Sequence, residues 1–245
     1  MKSSILLSKM MKPFRRGRDA DPVAVFLADS YVRHNQRRQE HLASLGLDIA
    51  GTSVLEVGAG IGDHTSFFLD RACRVMCTDA RPRNLDYLRR RYPELSIGHL
   101  DLDQPASLHE LFDIVYCYGV LYHLMDPGAA LVFLAGRTGK MLLLETCVSG
   151  AEGECIDPCD EDARIPSHGL RGRGCRPTRR WVYQRLRALF PFVYMPATQP
   201  WHEEFPLDWT APPRSGLLTR SIYIASRQKI DNPLLLETVP MRQRH

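Results

Sequence analysis

The 245-residue sequence predicts an α/β fold with a doubly wound, Rossmann-like sheet. Three observations carry that expectation. Almost wholly apolar segments recur at strand length, and helix-length segments separate them, as in a parallel sheet covered on both faces. The third is the stretch VLEVGAGIGDHT at 54–65, where Gly58, Gly60 and Gly62 alternate between an apolar run and a helix-like segment. Such a turn brings bare backbone against a ligand.

The elements follow in order. Residues 21–46 read as a helical region: Asp21 can cap it, Pro22 suits the first turn and Gly46 stops it. Strands are expected at 52–57, 74–78, 95–98, 113–118 and 140–146, with helices at 62–71, 85–92 and 129–135. Residues 149–177, rich in Gly, Pro and charge, read as a long loop. A helix over 178–190 places Val182, Leu186 and Leu189 on one face, and Arg176, Arg180 and Arg187 close together on another. Strands at 191–196 and 220–227 flank an aromatic, acidic, proline-rich segment. The organisation is a disordered basic start at 1–20, the helical region, a domain over 47–228 with insertions at 149–177 and 197–219, and a tail at 229–245.

Composition narrows the class. With 44% hydrophobic residues the chain can build a substantial core. No apolar run approaches the ~18–20 residues of a membrane span, so no membrane partner is expected. The apolar patch Ile5-Leu6-Leu7 is too short for a secretory signal, although a basic start also suits an organelle transit peptide. Seven scattered cysteines suggest reduced thiols and a cytoplasmic setting. Net charge is only +4, yet residues 163–202 hold eight arginines and no Asp, Glu or Lys, which favours an anionic partner. Cys155, Cys159, His168 and Cys175 are of types suited to zinc, but C-x3-C without a second pair is poor evidence, and no metal is expected.

A dinucleotide site wants G-x-G-x-x-G with the pyrophosphate on a helix N-terminus. Here the last glycine position is Asp63, and a carboxylate close to phosphates costs several kcal/mol, in order of magnitude, once partly desolvated. The turn therefore suits a phosphate-free nucleoside carrying positive charge, a preference that Glu56 reinforces. S-adenosylmethionine meets that description. Asp79, about twenty residues beyond the glycines, can accept from ribose hydroxyls. Asp101 or Asp103 in DLDQP stands where a side chain takes an adenine amino group.

VLEVGAGIGDHT, VMCTDARP, DLDQP and FDIVYCYGVLYHLMDP together resemble the motif series of the class I S-adenosylmethionine-dependent methyltransferases, over about residues 50–148. The resemblance implies a seven-stranded sheet, parallel except for its last strand. It implies that Glu56, Gly58, Gly60 and Gly62 line the methionine part of the cofactor and Asp79 the ribose. Asp101 and Leu102 would flank adenine, with Tyr118 and Gly119 beside the methyl group. YGVLYHLMDP and LLLETCVSG are similar to the tRNA wobble-uridine (carboxy)methyltransferases, without that family's longer N-terminal region or its C-terminal substrate motifs. Residues 174–210 instead resemble small bacterial methyltransferases of uncertain substrate.

Methyl transfer needs positioning and desolvation, plus a base when the acceptor is a weakly acidic hydroxyl. His123 is the first candidate base, with Tyr122 and Glu145 at the same rim. Trp201 and His202, in the cap segment WHEEFPLDW, are candidate substrate contacts, and so are Arg176, Arg179 and Arg180, which can grip a carboxylate or phosphate. The leading expectation is a methyltransferase for a small polar metabolite or glycan precursor, with an anionic one expected. The alternatives are an RNA methyltransferase and a non-catalytic adenosylmethionine-binding partner protein. Oligomeric state is not legible.

Overall fold

Alternation along the strands divides the core into two layers. In the central strand Phe112–Tyr118, Val115 and Cys117 face one cluster of buried side chains, while Ile114, Tyr116 and Tyr118 face the other. This is the period-two pattern of a sheet buried on both sides. The computed structural model describes residues 23–105 and 108–245. The expected disordered start, Asp21 and Pro22 lie outside the described residues.

The elements, in chain order, are α1 (Asp29–Ser44), β1 (Ser53–Val57), α2 (Thr65–Leu69), β2 (Arg74–Asp79), α3 (Pro82–Arg91), β3 (Ser96–His99) and β4 (Phe112–Tyr118). A 3-10 turn at Leu121–His123 precedes α4 (Pro127–Arg137), β5 (Thr138–Cys147), β6 (Ile156–Asp160), β7 (Arg173–Pro177), α5 (Arg179–Leu189), β8 (Phe192–Pro196), β9 (Arg220–Ser226) and β10 (Leu235–Leu236). α1 begins later than expected, because residues 23–27 form turns. α2 is shorter than the expected 62–71, since the glycine turn runs on to His64.

The main sheet has the order β10-β8-β9-β5-β4-β1-β2-β3. β1 to β5 are parallel, and β9 runs antiparallel to β5. The expected seven strands are therefore present in doubly wound order, and the two-residue β10 adds an eighth, antiparallel to β8. Strand order reverses between β1 and β4, which opens a crevice at their carboxyl ends. α4 and α5 cover one face through Leu131, Leu134, Val182 and Leu186. Leu42, Phe68 and Leu88, from α1, α2 and α3, cover the other.

One expected element is corrected. Residues 149–177 are not simply a loop: β6 and β7 pair antiparallel from Ile156↔Pro177 to Asp160↔Arg173. Pro158, Pro177 and Gly174 hid the strands, since these residues weaken any strand signal. Gly174 is required here, because a Cβ would lie 2.4 Å from the Tyr122 carbonyl oxygen. The tail at 229–245 packs against the domain. β10 extends the sheet, and the Gln243 side chain donates to the Pro196 carbonyl at 2.6 Å while accepting from Trp209 Nε1 at 2.7 Å.

Thr178 fastens the hairpin to α5. Its Oγ1 accepts from the Trp181 and Cys155 amides and donates to the Gly153 carbonyl at 2.8 Å. Thr178→Ala is expected to lower stability by about 1–2 kcal/mol, read as a shifted denaturant midpoint at constant m-value.

Candidate active site

The site is assembled at the carboxyl ends of the parallel strands. After β1 the chain turns through Gly58, Gly60 and Gly62, whose φ angles of 69°, 59° and 81° lie in the left-handed region. A Cβ on Gly58 would stand 2.3 Å from Val120 Cγ2, so the glycine also permits the close approach of the chain following β4.

Asp79 closes β2 and locks this turn. Its Oδ2 accepts from the Gly60 amide at 2.9 Å, and its Oδ1 from the Arg81 amide and Asn84 Nδ2. Three of roughly four acceptor positions are used, which leaves one for a ligand hydroxyl. Burial raises the Asp79 pKa, opposed by these bonds. The same crevice is lined by Gly58, Gly60, Leu100, Asp101, Leu102, Asp103, Gly119, His123 and Leu124.

Asp101 and Asp103 are both at the crevice, and Arg171 from the insertion spans them. It pairs with Asp101 Oδ2 at 2.7 Å and Asp103 Oδ2 at 3.3 Å. Asp103 also receives the Met125 amide at 2.9 Å, fixing the approach to α4. Sequence reasoning did not pick out Arg171 as a partner of either acid, because about seventy residues separate them.

An inner recess continues from the glycine turn, lined by Tyr31, Asn35, Arg38, Glu56, Asp63, His64, Tyr116 and Tyr118. Arg38 Nε, His64 Nε2 and Tyr118 Oη are buried there without a hydrogen-bond partner. Unpaired buried groups of this kind suit a polar ligand end, such as the amino-acid moiety of S-adenosylmethionine, while Leu100, Leu102 and Leu124 suit the flat purine. The residues present fit that cofactor.

The two acids credited with charge selection behave differently from expectation. Glu56 is fully buried, accepts from Thr65 Oγ1 at 2.6 Å, and is pushed up to about 7 by burial. Asp63 does not face a diphosphate position, since its carboxylate meets Asn35 Nδ2 at 3.2 Å and Arg91 at 3.0 Å.

His123 sits on the crevice wall, with Nδ1 at 2.6 Å from Glu161 Oε2. Burial lowers the His123 pKa and Glu161 opposes the shift, so the imidazole is neutral near pH 7. With Nδ1–H donated to Glu161, Nε2 is left as the basic nitrogen, the base-and-orienter arrangement of general-base sites. Glu161 escaped sequence reasoning because it lies in the stretch read as loop.

Glu145 is corrected. It is completely buried, and Arg38 holds Oε2 at 2.6 Å while Arg220 holds Oε1 at 3.1 Å. Both oxygens are engaged, so it is a structural anion and not a base. The Tyr122 hydroxyl accepts from Arg220 at 3.3 Å, and burial raises its pKa.

The three arginines do not form a grip. Arg176 lies on β7, donating to the Tyr122 and Cys175 carbonyls. Arg179 is buried, donates to the Pro240 carbonyl at 2.6 Å and lies over the Trp209 ring. Arg180 is exposed beside Glu154. Arg176, Arg180 and Arg187 therefore do not share a helix face. Trp201 is 68% exposed and stacks on His245, whereas His202 is buried and stacks on His34.

This geometry can now be set beside known proteins. Residues 54–135 match the family described as "Methyltransferase domain". Among solved structures, the N-terminal domain of EvdMO1, with SAH and D-fucose, superposes with a TM-score of 0.61 at 18% identity, covering 82% of this chain and 85% of that one. Magnesium protoporphyrin IX methyltransferase from Synechocystis PCC 6803 with bound SAM gives a TM-score of 0.55 at 16% identity, covering 82% of each. The fold is that of the class I methyltransferases.

By sequence, the tRNA U34 carboxymethyltransferase of Sulfurovum sp. is 42% identical over 169 residues, covering 64% of this chain and 54% of that protein. The protein of the same name from Azotobacter vinelandii is 33% identical over 168 residues, covering 63% and 50%. The chain thus spans about half the length of these curated relatives. Among the described residues, no helix is long and apolar enough to cross a membrane.

Two outcomes follow from these environments. Glu145→Ala leaves two buried guanidiniums without their shared anion and is expected to cost about 3–5 kcal/mol, read by chemical denaturation. For Glu56, the folded pKa is raised from 4.5 to about 7, so between those values the native state holds the extra proton. Stability should therefore fall as pH rises through that window. Glu56→Gln should remove that part of the slope in denaturation curves measured from pH 4.5 to 7.5.

Proposed function

We propose that the chain transfers a methyl group from S-adenosylmethionine to an RNA acceptor. The observation that carries the transfer chemistry is the crevice in which the glycine turn, tied to Asp79, faces a His123–Glu161 pair. In this reading Gly58 and Gly60 admit the cofactor, Asp79 accepts from the ribose, and Asp101 with Leu102 flanks adenine. Tyr118 and Gly119 stand beside the sulfonium, with Glu56 and Gly62 behind the turn. The cofactor supplies an activated methyl carbon. On transfer the carbon–sulfur bond would break and S-adenosylhomocysteine would leave, while His123 Nε2 would take the acceptor proton and Glu161 would hold the imidazole and stabilise its charged form.

The RNA reading rests on the relatives named tRNA U34 carboxymethyltransferase and on the arginines. The expected grip for a small anion, Arg176 with Arg179 and Arg180, is dispersed, and Arg179 is buried. Exposed arginines instead stand on α3 (Arg83, Arg89, Arg90) and on the hairpin (Arg173), as phosphate contacts require. A small polar acceptor remains the second reading, supported by a separate cap pocket walled by Trp201, Trp209, Phe205 and Leu207.

Incubation with methyl-labelled S-adenosylmethionine, with tRNA and metabolite fractions in separate vessels, tests both. Label in tRNA is expected. Label in metabolites alone favours the cap-pocket reading, and a chain that fails to bind the cofactor by calorimetry ends the proposal. Asp79→Ala should weaken cofactor binding by about tenfold or more, the loss of a charged hydrogen bond. His123→Ala should slow transfer by about 100-fold with cofactor affinity kept.

A further inference from the structure

We infer that His34, His202 and Glu204 form a binding site for one divalent transition-metal ion, of the zinc type, that joins α1 to the cap segment. Their ligand atoms lie within 4.8 Å of one another, and no other group of three or more His, Cys, Asp or Glu among the described residues converges in this way. The pair His34 Nδ1 and Glu204 Oε2 is 3.8 Å apart, already near the separation of two ligands on one small ion. The cysteines considered from sequence, Cys155, Cys159 and Cys175, form no such group with His168.

Burial suits the same conclusion. His34 is 8% exposed, and its Nδ1 is the nitrogen that faces Glu204.

The surrounding charges are mixed. Arg33 pairs with Glu203, Arg220 meets Glu204 Oε2 at 2.5 Å, and Arg38 lies beyond, on Glu145. Glu204 would share its charge between Arg220 and the ion, while Glu203 is held by Arg33. Arg33 and Arg220 then act as outer partners that orient those carboxylates. Two imidazoles and one carboxylate leave a zinc-type ion short of four ligands. His202 also forms part of the wall of the cap pocket, so an oxygen ligand in that pocket would complete the set.

The test uses the full chain, stripped with a chelator and titrated with Zn2+ by calorimetry and with Co2+ by visible absorption. One ion per chain is expected, with Co2+ ligand-field bands. His34→Ala and His202→Ala should each lower Zn2+ affinity by about 100-fold, while His109→Ala, at an exposed histidine, should change nothing. Zn2+ should also raise the thermal midpoint of the unmodified chain and not that of His202→Ala, a readout that stands if His34→Ala does not fold. No saturable binding to the unmodified chain, or equal affinity in His202→Ala, overturns the inference.

Discussion

Glu145, shared by Arg38 and Arg220, is the contact on which the architecture of the site depends. The carboxylate stands near the end of β5, one guanidinium comes from α1, and the other from the start of β9, where it also engages Glu204 of the cap. Two positive and two negative groups cancel in a place with almost no access to water. A single buried charge there would be costly, and a neutral set of four with its hydrogen bonds made is tolerable. The network therefore fixes where α1 crosses the sheet, and with it Tyr31 and Asn35 over the inner recess.

Charge at the glycine turn works less simply than like-charge repulsion at a diphosphate. Glu56 lies behind the turn in a medium that favours its protonated form, and Asp63 is turned toward Arg91 and Asn35. Selection for a cationic ligand then has a conditional character. A positive charge arriving in the recess favours ionised Glu56, so the acid would gain charge as such a ligand binds.

The core was legible because its signals are local. Apolar runs of β1, β2, β4 and β5 and the glycines between them lie within a few residues of each other, and period alone assigns them. Asp79 was legible for the same reason, as an acid at a strand end. What escaped depends on partners far apart in the chain. Nothing near Arg38 marks it as the counter-ion of Glu145, 107 residues away, and nothing near Glu161 points to His123. The β6–β7 hairpin escaped because prolines and glycines mask its strands. The arginine-rich stretch misled in the opposite sense, since composition records charge but not direction, and Arg179 turns inward to the Pro240 carbonyl.

Arg171 carries a consequence for how the crevice meets a nucleobase. By spanning Asp101 and Asp103 it brings a compensating cation to acids that would otherwise charge that wall. A purine is itself uncharged. In the proposed binding mode a base would meet there a surface with much of its charge cancelled, and its recognition would rest on fit and on donor–acceptor pairing more than on long-range attraction. Added electrolyte should accordingly have little leverage on that end of the ligand, in contrast to its effect on any polyanion approaching the outer arginines.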